Sequence, residues 1–203
     1  MGPEHDRWME RWLPLIREAA GGGPLLELGC DTGGDTAWLL QQGLPAVATD
    51  IALEALKACA AAAPRALQVQ HDLRRPLPFA DAQFGIVVAS LCLHYFDWAT
   101  TAAAVGEIRR CLRPGGVLLC RVNSTRDTHH GAGQGEEIEP HYYRTDARYA
   151  GYKRFFDAAD LDRLFQPAHW AQVHRQETES HRYALPKVAW ELVLRRSGSH
   201  GTP

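Results

Sequence analysis

The stretch LLELGCDTGGDTAWLLQQG, residues 25–43, decides the fold. It opens on a short apolar run, bends through glycines and continues at helical spacing to Gly43, so it reads as strand, turn and helix. The same alternation follows. AVATD (46–50) is a second strand, and IALEALKACAAAAP (51–64) is an alanine-rich helix stopped by Pro64. ALQVQHD (66–72) is a third strand, and FGIVVASL (84–91), apolar throughout, suits a strand covered on both faces. A helix over 97–112 sets Val105, Ile108 and Leu112 on one side, and Pro114-Gly115-Gly116 punctuates before the strand VLLCRV (117–122).

Outside that alternation, residues 4–20 place Trp8, Trp12, Leu15, Ile16 and Ala19 at helical spacing until Gly21-Gly22-Gly23-Pro24 ends the segment. KRFFDAADLDRLFQ (153–166) restores helical periodicity with Asp157 as its cap, and WAQVHRQETES (170–180) and VAWELVLRR (188–196) read as paired strands. The implied fold is α/β: a Rossmann-like, doubly wound, mainly parallel sheet with helices on both faces and an antiparallel addition at its end. Residues 1–203 are expected to form a single domain, in which 124–153 is a polar, glycine- and tyrosine-bearing insertion too long for an ordinary connector.

The composition is 45% hydrophobic and 23% charged, as in an ordinary globular chain. Lys and Arg number 22 against 24 Asp and Glu, so there is no basic excess to attract a phosphate backbone and nucleic acid is not an expected partner. The ten histidines show no spacing typical of a metal site, and the five cysteines are odd in number and fall largely in apolar runs, as reduced buried thiols do. With neither an apolar signal core nor a stretch of membrane-spanning length, a cytoplasmic monomer or homodimer without membrane contact is expected.

At LLELGCDTGGDT, then through ATD, HDL and LRPGG, the chain resembles a class I S-adenosylmethionine-dependent methyltransferase over nearly its whole length. The resemblance implies a seven-stranded sheet whose last strand is antiparallel, with S-adenosylmethionine at the carboxyl ends of the strands. It implies that Glu27 faces the cofactor's amino acid end, that Gly29 and Gly33 leave room for its methionine and ribose portions, and that Asp50, with Ile51 beside it, takes the ribose diol. Asp72 would meet the adenine amine, Leu73 would flank the ring, and Ser90 and Leu91 would border the cofactor. Two positions depart from the family pattern. Asp31 stands where glycine is common, so a side chain must fit there and either contact the cofactor or bend the turn. Gly85 stands where aspartate is usual, and its effect is expected on stability rather than chemistry.

For the acceptor, Leu93-His94-Tyr95-Phe96 follows the fourth strand beside the expected methyl group, making His94 the candidate base and Tyr95 a candidate contact, or else His94 a packing residue. Methyl transfer from a sulfonium also proceeds by alignment and desolvation without a base. Arg121 and Asn123 end the fifth strand and either orient a polar or anionic acceptor or form an internal loop contact. GAGQGEEIEPHYYR (131–144) resembles a lid segment of small methyltransferases of the tellurite-resistance and thiopurine kind. Tyr142, Tyr143, Arg154 and Phe155 are therefore candidate pocket walls, and Glu136 and Glu137 candidate contacts for a cationic group. The expected function is methyl transfer to a small molecule. The alternative is a non-catalytic module binding S-adenosylmethionine or S-adenosylhomocysteine, and a nicotinamide-dependent reductase is disfavoured by Asp31 in the turn.

Overall fold

The computed structural model describes residues 7–145 and 151–198. Five strands alternate with four helices: α1 (Leu13–Ala20), β1 (Leu25–Leu28), α2 (Gly34–Gln41), β2 (Ala46–Asp50), α3 (Leu53–Ala62), β3 (Leu67–Gln70), β4 (Phe84–Ser90), α4 (Trp98–Cys111) and β5 (Leu112–Asn123). Then come β6 (Glu136–Glu139), β7 (Tyr142–Arg144), β8 (Tyr152–Arg154), α5 (Ala158–Leu164), β9 (Trp170–Ser180) and β10 (Lys187–Arg196).

The main sheet has seven strands in the order β3-β2-β1-β4-β5-β10-β9, parallel except for β10, which runs against both its neighbours. Every residue of β1 is buried, as helices on both faces require. Alternate side chains feed two cores: Leu26, Leu28, Val87 and Ala89 pack on one face, and Leu25, Ile86 and Val88 on the other. The strand order reverses between β1 and β4, which opens a crevice at their carboxyl ends.

Local chemistry sets the element ends. Asp97 caps α4 by accepting from the Thr100 N–H at 2.7 Å, and Asp157 caps α5 in a reciprocal pair with Asp160. Three expectations shift at boundaries. The predicted helix over 4–20 starts outside the described residues, and within them Glu10–Trp12 is a 3-10 turn, with α1 beginning only at Leu13 and accommodating Pro14 in its first turn. Pro114-Gly115-Gly116 lies inside the β5 span as an irregularity, since Phe84 pairs with Leu112 and Ile86 with Val117. Lys153 and Arg154 belong to β8 instead of the following helix.

Gly85 has a packing cause. A Cβ there would lie 1.9 Å from the Ala19 carbonyl oxygen and 2.2 Å from Arg113 Nη2. The Arg113 guanidinium fills that space, donating to the Ala19 and Ala20 carbonyls at 2.8 and 3.1 Å and so closing the end of α1. The insertion carries the three-stranded antiparallel sheet β6-β7-β8, with residues 146–150 outside the described set. All five cysteines are free and buried.

Candidate functional site

The turn leaving β1 runs through left-handed backbone at Gly29 (φ +67°), Asp31 (φ +47°) and Gly33 (φ +84°). A Cβ on Gly29 would stand 2.6 Å from Cys92 Cβ, so the loop after β4 closes directly onto this turn. Gly33 serves differently from the expectation. A Cβ there would meet Cys59 of α3 at 2.8 Å from Cα, so this glycine seats the turn against a helix and lines neither of the cavities described below. Asp31 tolerates the left-handed conformation as aspartate does, and its backbone N–H donates to Asp50 Oδ2 at 3.1 Å.

Two cavities meet at this turn, sharing Gly29, Asp50, Cys92 and Tyr95. The first, about 600 Å³, is lined by Asp50, Ile51, Asp72, Leu73 and, across from them, Phe96 and Thr100. The second, about 480 Å³, is lined by Glu27, Asp31, Ser90, Leu91, Arg121 and Tyr183, among others. Both lie within the range of small-molecule sites.

Asp50 sits at the tip of β2, where Oδ1 accepts from the Ala52 N–H at 2.9 Å while Oδ2 accepts from Asp31. Each oxygen keeps a lone pair, so the aimed carboxylate still has capacity for a diol. Asp72, beyond β3, accepts from Arg74 through its backbone N–H (3.0 Å), Nε (2.9 Å) and Nη2 (2.7 Å), which holds its carboxyl below the ordinary range. It therefore presents a charged carboxylate to the same cavity as Asp50. Burial, then the charge of Asp35, pushes the Glu27 carboxyl well above its ordinary value, against the Thr36 hydroxyl that donates to it. Ser90 Oγ accepts from Arg121 Nε and Nη2 at 3.0 and 2.8 Å, and the guanidinium lies 4.6 Å from the Trp8 ring.

Several expected pocket residues lie elsewhere. His94 is 3% exposed, lines neither cavity, and its Nδ1 has no hydrogen-bond partner among the described residues. Burial, then the nearby Lys153 and Lys187, pulls its pKa well below the ordinary imidazole value. It is a neutral packing residue beneath Tyr95 rather than a base facing an acceptor. Asn123 is fully buried and accepts from Lys187 Nζ at 2.8 Å, and the same amine reaches Asp127 Oδ2 at 2.9 Å. Arg154 is buried as a clamp, donating to the Phe96 carbonyl at 3.1 Å, to the Pro140 carbonyl at 3.2 Å and to Glu139. Phe155 is core, and Tyr143 meets it edge-on at 6.0 Å outside both cavities. Tyr142 lines the first cavity, stacks on Tyr152 at 5.8 Å and donates to the Tyr95 carbonyl at 3.3 Å. Glu136 pairs with Arg144 at 2.7 Å, and Glu137 accepts from the His141 N–H at 2.9 Å.

Sequence reasoning missed Arg182 and Tyr183, which the turn between β9 and β10 carries back to the second cavity. No local motif marks them. It also missed Asp35, which accepts from Trp8 Nε1 at 3.1 Å and was available in the glycine motif itself. His141, Asp157 and Asp160 bring ligand-type atoms within 4.8 Å of one another, a grouping the spacing did not reveal. Its atoms already serve the α5 cap and a His141–Asp160 contact of 2.7 Å. Among the described residues no helix is long and apolar enough to cross a membrane.

Residues 26–120 match the family described as "Methyltransferase domain". An uncharacterized methyltransferase of Synechocystis sp. is 34% identical over 107 residues, 52% of this chain and 50% of that protein. One from Mycobacterium bovis is 31% identical over 173 residues, 85% of this chain and 64% of that protein. The chain thus spans about half to two thirds of the length of these relatives. An S-adenosylmethionine-dependent methyltransferase structure from Methanosarcina mazei superposes with TM-score 0.75 at 18% identity, covering 91% of this chain and 97% of that one, a likeness of fold.

Proposed function

We propose that the chain, whose residues 26–120 match the family described as "Methyltransferase domain", is a class I S-adenosylmethionine-dependent methyltransferase that transfers the cofactor's methyl group to a small molecule. The supporting observation is that Asp50 and Asp72, from the tips of adjacent strands, line one cavity beside the Gly29 turn. The residues fit the cofactor. Asp50, held by two backbone donors, receives the ribose hydroxyls, and Asp72 and Leu73 the adenine. Glu27, Asp31, Ser90 and Leu91 border the methionine end in the adjoining cavity, and Ile51 covers the sugar. When bound, S-adenosylmethionine supplies an electrophilic methyl carbon on a sulfonium.

The chain's own contribution is placement and water exclusion. Tyr95 lines both cavities, and partial burial raises its phenol pKa, so a protonated phenol borders their junction. With His94 turned inward, an acceptor that already carries a free lone pair suits this site. The β6-β7-β8 sheet, like the lid of the tellurite-resistance and thiopurine methyltransferases, contributes Tyr142 and Tyr152 to the wall of the first cavity. Incubation with methyl-labelled S-adenosylmethionine and a panel of small acceptors should yield S-adenosylhomocysteine and a labelled product. Tight cofactor binding with no product from any panel member would favour the binding-module alternative.

A further inference from the structure

One side of α4 carries Trp98, Ala102, Val105 and Arg109 at helical spacing, and these four line a third cavity of about 320 Å³. The end of α5 and the approach to β9 close it with Arg163, Leu164, His169 and Trp170. It shares no lining residue with the cavities at the Gly29 turn, and Thr100, on another side of the same helix, lines the first of those instead. The helix stands between two separate sites.

The charge in this third cavity is of one sign. Arg109 and Arg163 line it and no carboxylate does. The acids nearest them in sequence are engaged elsewhere, Asp162 with Arg175 at 2.6 Å and Glu107 with Arg110 at 2.8 Å. Among the described residues neither Arg109 nor Arg163 forms an ion pair, and their partners are rings. Arg109 Nη1 donates to His169 Nδ1 at 3.3 Å, and the Arg163 guanidinium carbon lies 3.9 Å from the centre of the Trp98 ring. A guanidinium seated on a ring face keeps N–H donors along its edge, where they match a planar or tetrahedral oxyanion. Val105, Leu164 and Trp170, all buried, give the same cavity an apolar wall. Gly106 adds an independent sign. It sits inside α4, where glycine is less stable than alanine, yet a Cβ there would meet nothing within 4 Å. Packing within the chain does not require that glycine, and the missing side chain leaves the helix backbone open to the cavity it lines. We infer that this cavity binds a small organic anion, its carboxylate or phosphate received by Arg109 and Arg163 and its apolar body by Val105, Leu164 and Trp170.

The test is calorimetry on the full chain with naphthalene-2-carboxylate, 2-naphthyl phosphate and the neutral naphthalene-2-carboxamide, each titrated with and without saturating S-adenosylhomocysteine. One anion should bind at least about tenfold tighter than the amide, the worth of one charge-assisted contact, and which one does so separates carboxylate from phosphate. S-adenosylhomocysteine should not displace it. Arg109→Gln combined with Arg163→Gln, at half-exposed and exposed positions, should bring the preference close to unity. Gly106→Leu, which fills the cavity from an exposed and helix-compatible position, should abolish binding of the anion, both variants being checked as folded by circular dichroism. Binding of neither anion more tightly than the amide would overturn the inference, as would displacement by S-adenosylhomocysteine or an anion affinity that survives these substitutions.

Discussion

Asp50→Ala is the most informative substitution. It removes the acceptor of the Asp31 and Ala52 backbone N–H groups, at 3.1 and 2.9 Å, together with the proposed seat of the ribose diol. Two hydrogen bonds from ribose hydroxyls to a carboxylate, at about 1.5–3 kcal/mol each, make the loss of binding free energy about 3–6 kcal/mol, or at least a hundredfold in affinity. The fold should suffer less, because the two freed N–H groups lie at exposed turn positions that water reaches, for a cost of about 1 kcal/mol. Calorimetric titration with S-adenosylhomocysteine, alongside urea unfolding of the same protein, separates the two effects. Asp50→Asn, which keeps the shape and one acceptor oxygen, should fall between. A folded Asp50→Ala protein binding within threefold of the wild type would refute the assignment of this carboxylate to the ligand.

Gly85→Ala should destabilise the chain by about 3 kcal/mol, the upper end of overpacking costs, because the new methyl would meet the Ala19 carbonyl; a shift in urea midpoint measures it. His94 is held neutral when folded but titrates near 6.5 when unfolded, so the unfolded state binds more protons below that pH and wild-type stability falls on acidification. Between pH 7 and pH 5 the wild type should lose about 2 kcal/mol more than His94→Gln, and equal losses would contradict the buried, neutral assignment. Asp157→Ala, which removes the α5 cap, should cost about 1 kcal/mol in the same unfolding assay without altering affinity for S-adenosylhomocysteine.

How much of this was legible in the sequence depends on how far each feature reaches along the chain. The parallel core was readable because β1, β2 and β4 are largely apolar and buried almost throughout, and each is followed by glycine or helix signals within a few residues. Asp50 and Asp72 were readable for the same reason, since a residue at a strand tip inherits its position from the strand. His94 was not. A 3-10 turn at Leu93–Tyr95 sends the imidazole into the core and Tyr95 to the cavity, and one residue of rotation decides between them. Arg154 and Asn123 were misplaced because their partners, Glu139, the Phe96 and Pro140 carbonyls and Lys187, lie on segments 14 to 64 residues away. Arg182 reaches the site only because β10 inserts between β5 and β9, and no local pattern encodes that placement.

The most direct measurement is a crystal structure of the chain at saturating S-adenosylhomocysteine. The ribose hydroxyls should lie within hydrogen-bonding distance of Asp50 and the adenine between Leu73 and the Asp72 carboxylate, with the thioether at the junction beside Tyr95. A ligand bound away from that cavity, or one whose sugar and base touch neither carboxylate, would contradict this placement.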